Sequence, residues 1–403
     1  MNKKLYADRL SDLVLNLGVA LKKGEHLNIA VSPDAYYYAQ NMAIKAYEMG
    51  AGYVNISVSD LLLDKYRAYY QEMEDLTYIP SFMKEFVKEG IQVGIKNVRI
   101  ECRDERIGLP ELDDNKYQAL SSSVKIARRD LTKLYMENHI TWCVCCAPGN
   151  KWAKAGLGED KTEEDLADIL ASILHIDTPD YLSYWKNEDK KVKERIQKIN
   201  DLEIKTLHFK SKETDFSVGF RKEAKFEGCS SLTTKGECFS PNFPTLEIFN
   251  TPDKDTAQGY ISTTRPVSVM GNETEGVKLF FENGKCIKAE AKVGQETMDN
   301  YLEIDEGSSR LGEIALVDDS SAISRTGLVF GSILIDENAS CHIALGSGYT
   351  SNLEIGDNDP KDYGCNMSLV HTDFMVGSSD MRITATTYKG EEVLIMDKGN
   401  FVF

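Results

Sequence analysis

The stretch LNIAVSPDAYYYAQNMAIKAYEMGAGYVNISV, residues 27–58, decides the fold of the first half of the chain. Its first five residues, LNIAV, form a short apolar run that is typical of a buried strand. A helix is expected from about Asp34 to Met49, and a second strand is expected from Tyr53 to Val58, after two glycines. The order strand, helix, strand predicts two parallel strands joined by a helix.

The same alternation continues to about residue 200. VRIEC (Val98–Cys102) and ITWCVCC (Ile140–Cys146) are strand candidates, and a helical stretch from Lys116 to Met136 lies between them. A last helix is expected from about Tyr181 to Ile199. The pattern therefore predicts an α/β domain with a largely parallel sheet over residues 1–200.

The sequence pattern changes after about residue 200. Short alternating segments such as LEIKTLHFK, LVFGSILID and RITATTYKG are separated by glycine, asparagine and aspartate turns, and ENGK (Glu282–Lys285) is a hairpin signal. We expect a second, mainly antiparallel β-rich domain over residues 201–403. The predicted fold class is thus α/β followed by mainly-β.

Composition limits the classes of partner. The chain has 403 residues with 47 Lys and Arg against 64 Asp and Glu, which gives a net charge of −17. This charge opposes binding to nucleic acid and to an anionic membrane surface. No apolar run approaches the length of a membrane span, and the first residues contain Asp8, Arg9 and Asp12, so neither a signal peptide nor an anchor is expected. We expect a cytoplasmic protein without a disulfide framework.

Ionisable side chains interrupt apolar segments of the second half. In SLVHTDFMVG, His371 and Asp373 are two residues apart, so on a strand both project from one face. Glu313 interrupts LGEIALV, and Glu247 lies between Leu246 and Ile248. A buried carboxylate is costly unless it is paired or bound to a metal. Each residue alone is also compatible with an exposed edge position.

A fourth segment, IDENASCHIALGSGY, contains Glu337, His342 and Tyr349. Together, the four carboxylates and two imidazoles carry a charge of −4, which would balance two divalent cations. Oxygen and nitrogen ligands without a thiolate are typical of a site for Zn²⁺, Co²⁺ or Mn²⁺, and Mg²⁺ is also possible. A structural zinc site would instead contain cysteines. Two such ions can polarise a carbonyl and activate water, which predicts a hydrolase.

The four segments together resemble the signature of the AmpS/AmpT/PepS family of bacterial metalloaminopeptidases. They are PNFPTLEIFNTPD (Pro241–Asp253), RLGEIALV (Arg310–Val317), DENASCHIALGSGY (Asp336–Tyr349) and SLVHTDFMVG (Ser368–Gly377). The family usually has Pro-Thr-Glu-Glu in the first segment. Here the residue before Glu247 is leucine, and the following Ile-Phe favours Glu247 as the match.

The resemblance implies both a function and a ligand set. It implies removal of N-terminal amino acids from peptides with a free N-terminus, by a cytoplasmic homodimer that holds two divalent metal ions per chain. The residues that match the family's metal centre are Glu247, Glu313, Glu337, His342, His371 and Asp373. For the general base, Glu313 is preferred and Glu337 comes second. Tyr349 either donates a hydrogen bond to the developing oxyanion or orients a ligand.

Two other functions compete with this interpretation. A dinuclear hydrolase of phosphate esters would need cations near the metals, and Arg310 is the only one within three residues of a proposed ligand. A non-catalytic metal-binding protein would keep the ligands without turnover. The cysteines of ITWCVCC are interpreted as small core residues. GNETEG, residues 271–276, has the glycine spacing of a phosphate loop, but Val277 and Lys278 follow it in place of Lys and Ser or Thr, so the sequence gives little support to a nucleotide site.

Overall fold

The computed structural model describes residues 1–110 and 114–403. By their contacts these residues separate into two compact units: residues 1–186 with 230–244, and residues 187–229 with 245–403. The predicted domain boundary at residue 200 stays a prediction. The units divide the chain earlier, within a long helix, and the first unit takes in a later segment as well. That segment is tied to the first unit's sheet by a hydrogen bond from Val144 N to Pro241 O at 2.7 Å, a long-range pairing that no local sequence pattern signals.

The helices and strands follow the chain in this order. In the described residues the α-helices are α1 Lys3–Leu13, α2 Tyr36–Glu48, α3 Leu61–Tyr70, α4 Ser81–Val93, α5 Asp114–Met136, α6 Asn150–Leu157, α7 Glu163–Ile173, α8 Tyr181–Asp201, α9 Gln295–Leu302 and α10 Ile333–Asp336. The strands are β1 His26–Val31, β2 Tyr53–Val58, β3 Lys96–Glu101, β4 Trp142–Cys146, β5 Ile204–Lys210, β6 Asp215–Gly219, β7 Glu227–Gly228, β8 Ser231–Leu232, β9 Cys238–Phe239, β10 Ile248–Asn250, β11 Gln258–Ser262, β12 Val267–Val269, β13 Asn272–Thr274, β14 Lys278–Glu282, β15 Lys285–Glu290, β16 Leu311–Leu316, β17 His342–Gly346, β18 His371–Met375, β19 Arg382–Thr387, β20 Glu392–Asp397 and β21 Asn400–Phe401.

The first unit is built on a parallel sheet of strands β2-β1-β3-β4. The apolar runs predicted as buried strands form it, and Ile29, Val98 and Cys145 are at most 2% exposed. Asparagines also lie inside this sheet. Asn28 pairs in register with Asn55 and Asn97; its Nδ2 donates to Asn97 Oδ1 at 2.8 Å, and its Oδ1 accepts from Asn55 Nδ2 at 2.7 Å. The predicted α/β architecture is confirmed.

The second unit is mainly antiparallel, as predicted. Its larger sheet has the order β15-β14-β11-β6-β5-β19-β20-β21, and a five-stranded sheet has the order β18-β17-β16-β10-β7. Apolar side chains of both sheets join one hydrophobic core, which includes Phe209, Phe216 and Ile314. The five-stranded sheet is the element that positions the candidate site.

Close approach of β17 and β18 in that sheet requires a glycine at one position. Gly346 on β17 pairs with His371 on β18 and has a φ of +113°. A Cβ atom there would lie 2.1 Å from Val370 O. Only glycine has both the required backbone freedom and the required room.

In the described part of the chain, no helix is both long enough and apolar enough to cross a membrane.

Candidate metal centre

One face of the five-stranded sheet carries the predicted ligands. Side chains alternate between the faces of a strand, and residues paired across strands share a face. His342 is paired with Ala315, Ala344 with both Glu313 and Asp373, and Gly346 with His371. Glu247 immediately precedes β10, two residues before Phe249, which is paired with Ala315. We call this the site face; it carries Glu247, Glu313, His342, His371 and Asp373.

The opposite face of the same strands is apolar. Ile248, Ile314, Ile343 and Phe374 are 0% exposed and belong to the core of the second unit. The core therefore fixes the strands on one side, while the ionisable side chains project to the other. Cys341 also avoids the site face, because its Sγ lies 3.7 Å from Met396 Sδ and bonds to the backbone of Val317.

The first group of converging ligand atoms comes from Glu247, Glu313 and His342. His342 Nε2 lies 3.4 Å from Glu247 Oε2 and 4.0 Å from Glu313 Oε1. His342 is 1% exposed and Glu313 is 4% exposed. Ionisable groups this deeply buried need a compensating charge.

The second group is formed by Glu313, His371 and Asp373. His371 Nε2 lies 3.3 Å from Glu313 Oε2 and 3.4 Å from Asp373 Oδ1. Glu313 thus directs one carboxylate oxygen toward each group. A carboxylate shared in this way can bridge two metal ions.

Backbone carbonyls fix the orientation of both imidazoles. His342 Nδ1 lies 3.2 Å from Ser340 O, and His371 Nδ1 lies 2.7 Å from Ser347 O. A carbonyl can only accept, so Nδ1 carries the proton and Nε2 turns toward the carboxylates. This is the arrangement in which a histidine ligates a metal through Nε2.

The electrostatics of the groups call for added positive charge. Burial lowers the pKa of both imidazoles, but the facing carboxylates outweigh it and raise the pKa of His342 to about 9 and that of His371 to about 11. Burial raises the pKa of Glu313, and a hydrogen bond from His371 opposes the rise. Each Nε2 therefore faces carboxylate oxygens across a position that only a proton or a cation can fill. The donor atoms fit divalent metal ions.

Tyr349 lies beside this set. Its ring packs edge-on against the ring of His371, with 5.2 Å between the centroids, and against the ring of Phe249 at 5.5 Å. Burial, followed by the charges of Glu313 and Asp373, raises its pKa well above the ordinary value of a phenol. Tyr349 is therefore a neutral hydrogen-bond donor at physiological pH.

Glu337 belongs to neither ligand group among the described residues. It lies in a short 3₁₀ turn that follows α10 and is half-buried. Its negative charge contributes to the raised pKa of Tyr349, so its carboxylate lies near that phenol. Its predicted role as a ligand stays a prediction.

Several supporting groups were not predicted from the sequence. The carbonyls of Ser340 and Ser347 orient the histidines, but carbonyls leave no residue-type signal. Phe249 could have been found, because it is two residues after Glu247 and alternation places it on the same face. Arg310, the cation considered for phosphate binding, is occupied elsewhere: Nη1 donates to Asp255 Oδ1 at 2.8 Å and to Lys254 O at 3.1 Å.

The fold and the site define a protein with a candidate metal centre of carboxylate and imidazole ligands on an antiparallel sheet, an arrangement that metal-dependent hydrolases use. Comparison with known proteins makes this more specific. The model of the family described as thermophilic metalloprotease (M29) matches residues 3–401. The chain belongs to this family, and the resemblance inferred from the four segments is confirmed.

Relatives that are named as aminopeptidases match 98–100% of this chain. Aminopeptidase PepS of Streptococcus thermophilus is 28% identical and covers 100% of this chain and 99% of its own length. Aminopeptidase T of Thermus thermophilus is 30% identical, with 98% of each chain covered. The structure of wild-type AmpT from Thermus thermophilus is similar, with a TM-score of 0.91, 29% identity and 100% coverage of both chains.

Proposed function

We propose that this protein is a metal-dependent aminopeptidase that removes N-terminal amino acids from peptides with two divalent metal ions held on the site face. The relatives named as aminopeptidases support the activity. The observation that carries the two-metal detail is the position of Glu313, which directs one oxygen to each of two ligand groups.

The ligands divide between the two ions. Glu247 and His342 would hold one ion, His371 and Asp373 would hold the other, and Glu313 would contribute an oxygen to each. Without a thiolate among these ligands, Zn²⁺, Co²⁺ or Mn²⁺ is favoured. Two such ions would polarise the scissile carbonyl and lower the pKa of a water molecule toward neutrality.

The remaining polar groups move protons and stabilise charge. The sequence favoured Glu313 as the general base, but a carboxylate shared by both groups is committed to ligation. We assign the base role to Glu337, whose carboxylate oxygen takes the proton from the attacking water and passes it to the leaving amine. The Tyr349 O–H donates a hydrogen bond to the carbonyl oxygen as negative charge develops there.

Hydrolysis of aminoacyl-p-nitroanilides tests this function. Metal-stripped protein is assayed before and after addition of Co²⁺ or Zn²⁺, with N-acetylated substrates as the control. We expect metal-restored release from substrates with a free amine and none from the acetylated ones. Absence of release with every metal, or equal release from acetylated substrates, would rule out an aminopeptidase.

The predicted cytoplasmic homodimer is also a proposal, which the family resemblance supports. Light scattering coupled to size-exclusion chromatography tests it. A mass of twice the 45.2 kDa of one chain is expected, and a monomer mass would contradict it.

A further inference from the structure

Two side chains extend the site face beyond the ligands. Phe249 lies on β10, two residues after Glu247, and is paired with Glu227 of β7. Paired residues on neighbouring antiparallel strands point to the same side of the sheet. Glu227 and Phe249 therefore lie next to each other on the face that carries the candidate metal centre.

Phe249 adjoins the ligand set directly. Its ring packs against Tyr349, which in turn packs against His371. On its other flank Phe249 is paired with Ala315, which is paired with His342. The alanine methyl takes little room, and the ring of Phe249 is only half-buried. An apolar surface thus begins beside the ligands and continues along the sheet toward Glu227.

Glu227 places a carboxylate at the far end of this surface. It is half-buried, and burial raises its pKa to about 7, an effect that Lys193 of α8 opposes and Glu354 increases. The strand that carries it lies about 4.8 Å from the strand of Phe249. A partly desolvated carboxylate gains when a cationic group comes close to it.

An apolar surface that ends in a carboxylate matches one kind of side chain. Arginine and lysine have apolar stems with a cationic head, and they bury the stem while the head meets a polar partner. A guanidinium also packs favourably over an aromatic ring and binds a carboxylate through two parallel hydrogen bonds. An uncharged aliphatic side chain would use Phe249 alone.

We propose that the side chain of the substrate's N-terminal residue lies along Phe249 and that Glu227 selects a basic group at its end, so that this enzyme prefers N-terminal arginine or lysine over uncharged residues of similar length. The inference rests on the proposed aminopeptidase function and adds a substrate class to it. Glu227 and Phe249 are then the residues that determine specificity.

The test compares Glu227→Gln with the wild-type protein on arginyl-, lysyl- and norleucyl-p-nitroanilide. Norleucine matches the lysine stem without its charge. We expect the ratio of kcat/KM for the basic substrates to that for the norleucyl substrate to fall by about tenfold or more, as loss of a charged hydrogen bond predicts.

Glu223→Gln is the matched control. Glu223 lies four residues before Glu227, but its charge acts on Tyr388. The hydroxyl group of Tyr388 donates a hydrogen bond to Phe220 O. We expect this variant to keep the wild-type ratio. Phe249→Ala should lower kcat/KM for basic and norleucyl substrates alike, because it removes the surface under the stem.

A second readout does not depend on turnover. Calorimetric titration of the metal-free protein with L-argininamide and L-norleucinamide should show tighter binding of the argininamide, and Glu227→Gln should abolish that difference. If Glu227→Gln keeps the wild-type ratio in turnover and in binding, the specificity proposal is wrong while the aminopeptidase stands. If the wild-type protein cleaves none of these substrates with any metal, the proposed function fails first.

Discussion

The parallel sheet of the first unit and the five-stranded sheet of the second unit differ in how their polar side chains are paired. In the parallel sheet of the first unit, Asn28 bonds to Asn55, Asn97 and Ser57 at 2.6–2.8 Å, so the polar atoms of neighbouring strands satisfy one another. On the site face, imidazole Nε2 atoms and carboxylate oxygens lie 3.3–4.0 Å apart. The first arrangement is complete, and the second leaves space for a cation.

This difference shows how polar side chains with a structural role can be distinguished from polar side chains with a functional role. Neutral amides carry donors and acceptors together and can close a network without help. Ionised carboxylates can only accept, so three of them around two histidines carry excess negative charge that the protein does not cancel locally. The first network should matter for stability alone, and the second for ligand binding.

The largest effect is expected from removal of the charge shared by the two ligand groups. Glu313→Gln keeps the shape of the side chain but weakens both metal sites. We expect kcat/KM for a free-amine substrate to fall by about 1,000-fold, because metal ions supply several kcal/mol of transition-state stabilisation. Steady-state kinetics and metal analysis of the same sample check this. Wild-type activity in the variant would contradict a shared ligand.

A smaller loss of activity is expected when the ligands on the site face are intact but the phenol O–H group of Tyr349 is removed. Tyr349→Phe should lower kcat by about 100-fold, the usual cost of one oxyanion donor, while metal content stays unchanged. A role in orienting His371 alone would instead lower metal affinity and leave kcat of the fully loaded enzyme near wild type. Measurement of kcat at saturating metal separates the two.

Disruption of the hydrogen-bonded network around Asn28 should lower the stability of the protein without changing metal binding. Asn28→Ala leaves Asn55, Asn97 and Ser57 without their partner, which we expect to lower the free energy of unfolding by about 3 kcal/mol. Asn16→Ala, at an exposed asparagine, is the control and should cost less than about 0.5 kcal/mol. Denaturant unfolding and metal titration check both. A loss of metal binding in Asn28→Ala would break the distinction between the sheets.

The last expected effect is a pH dependence of stability that is strongest in the metal-free protein. The pKa of His342 is raised to about 9 and that of His371 to about 11. Their contribution to stability is fully present below the ordinary histidine pKa of about 6.5 and is lost as pH rises through the folded values. We expect the Tm of the metal-free protein to fall from pH 6.5 to 9, and that of the metal-loaded protein to fall less.

Replacement of both histidines checks the cause of that pH dependence. The double variant His342→Gln/His371→Gln should give a flatter Tm profile in calorimetry of the metal-free protein. An equally steep profile in the variant would assign the dependence to other groups.

The sequence was sufficient to predict candidate ligands at positions where ionisable side chains follow the alternation of a strand. Glu313 inside LGEIALV and the His-x-Asp spacing of His371 and Asp373 predicted one face of a strand, and these side chains do share a face. Glu337 shows the limit. Its segment is a short helix and a turn, so no strand alternation could indicate where its carboxylate points.

Other features depend on pairing across long stretches of chain. The pairing of β10 with β7, which brings Glu227 beside Phe249, joins residues whose register no local pattern fixes. The attachment of residues 230–244 to the first unit is of the same kind. The asparagine network of the parallel sheet could not be predicted, because Asn28 and its partners Asn55 and Asn97 lie on different strands.

Titration of the metal-free protein with Zn²⁺ or Co²⁺, followed by native mass spectrometry, tests the central claim most directly. The account predicts two ions per chain in the wild-type protein and one in each of His342→Ala and His371→Ala, since each histidine serves a different group. A single ion in the wild-type protein, or two ions retained in both variants, would contradict a two-metal centre on the site face.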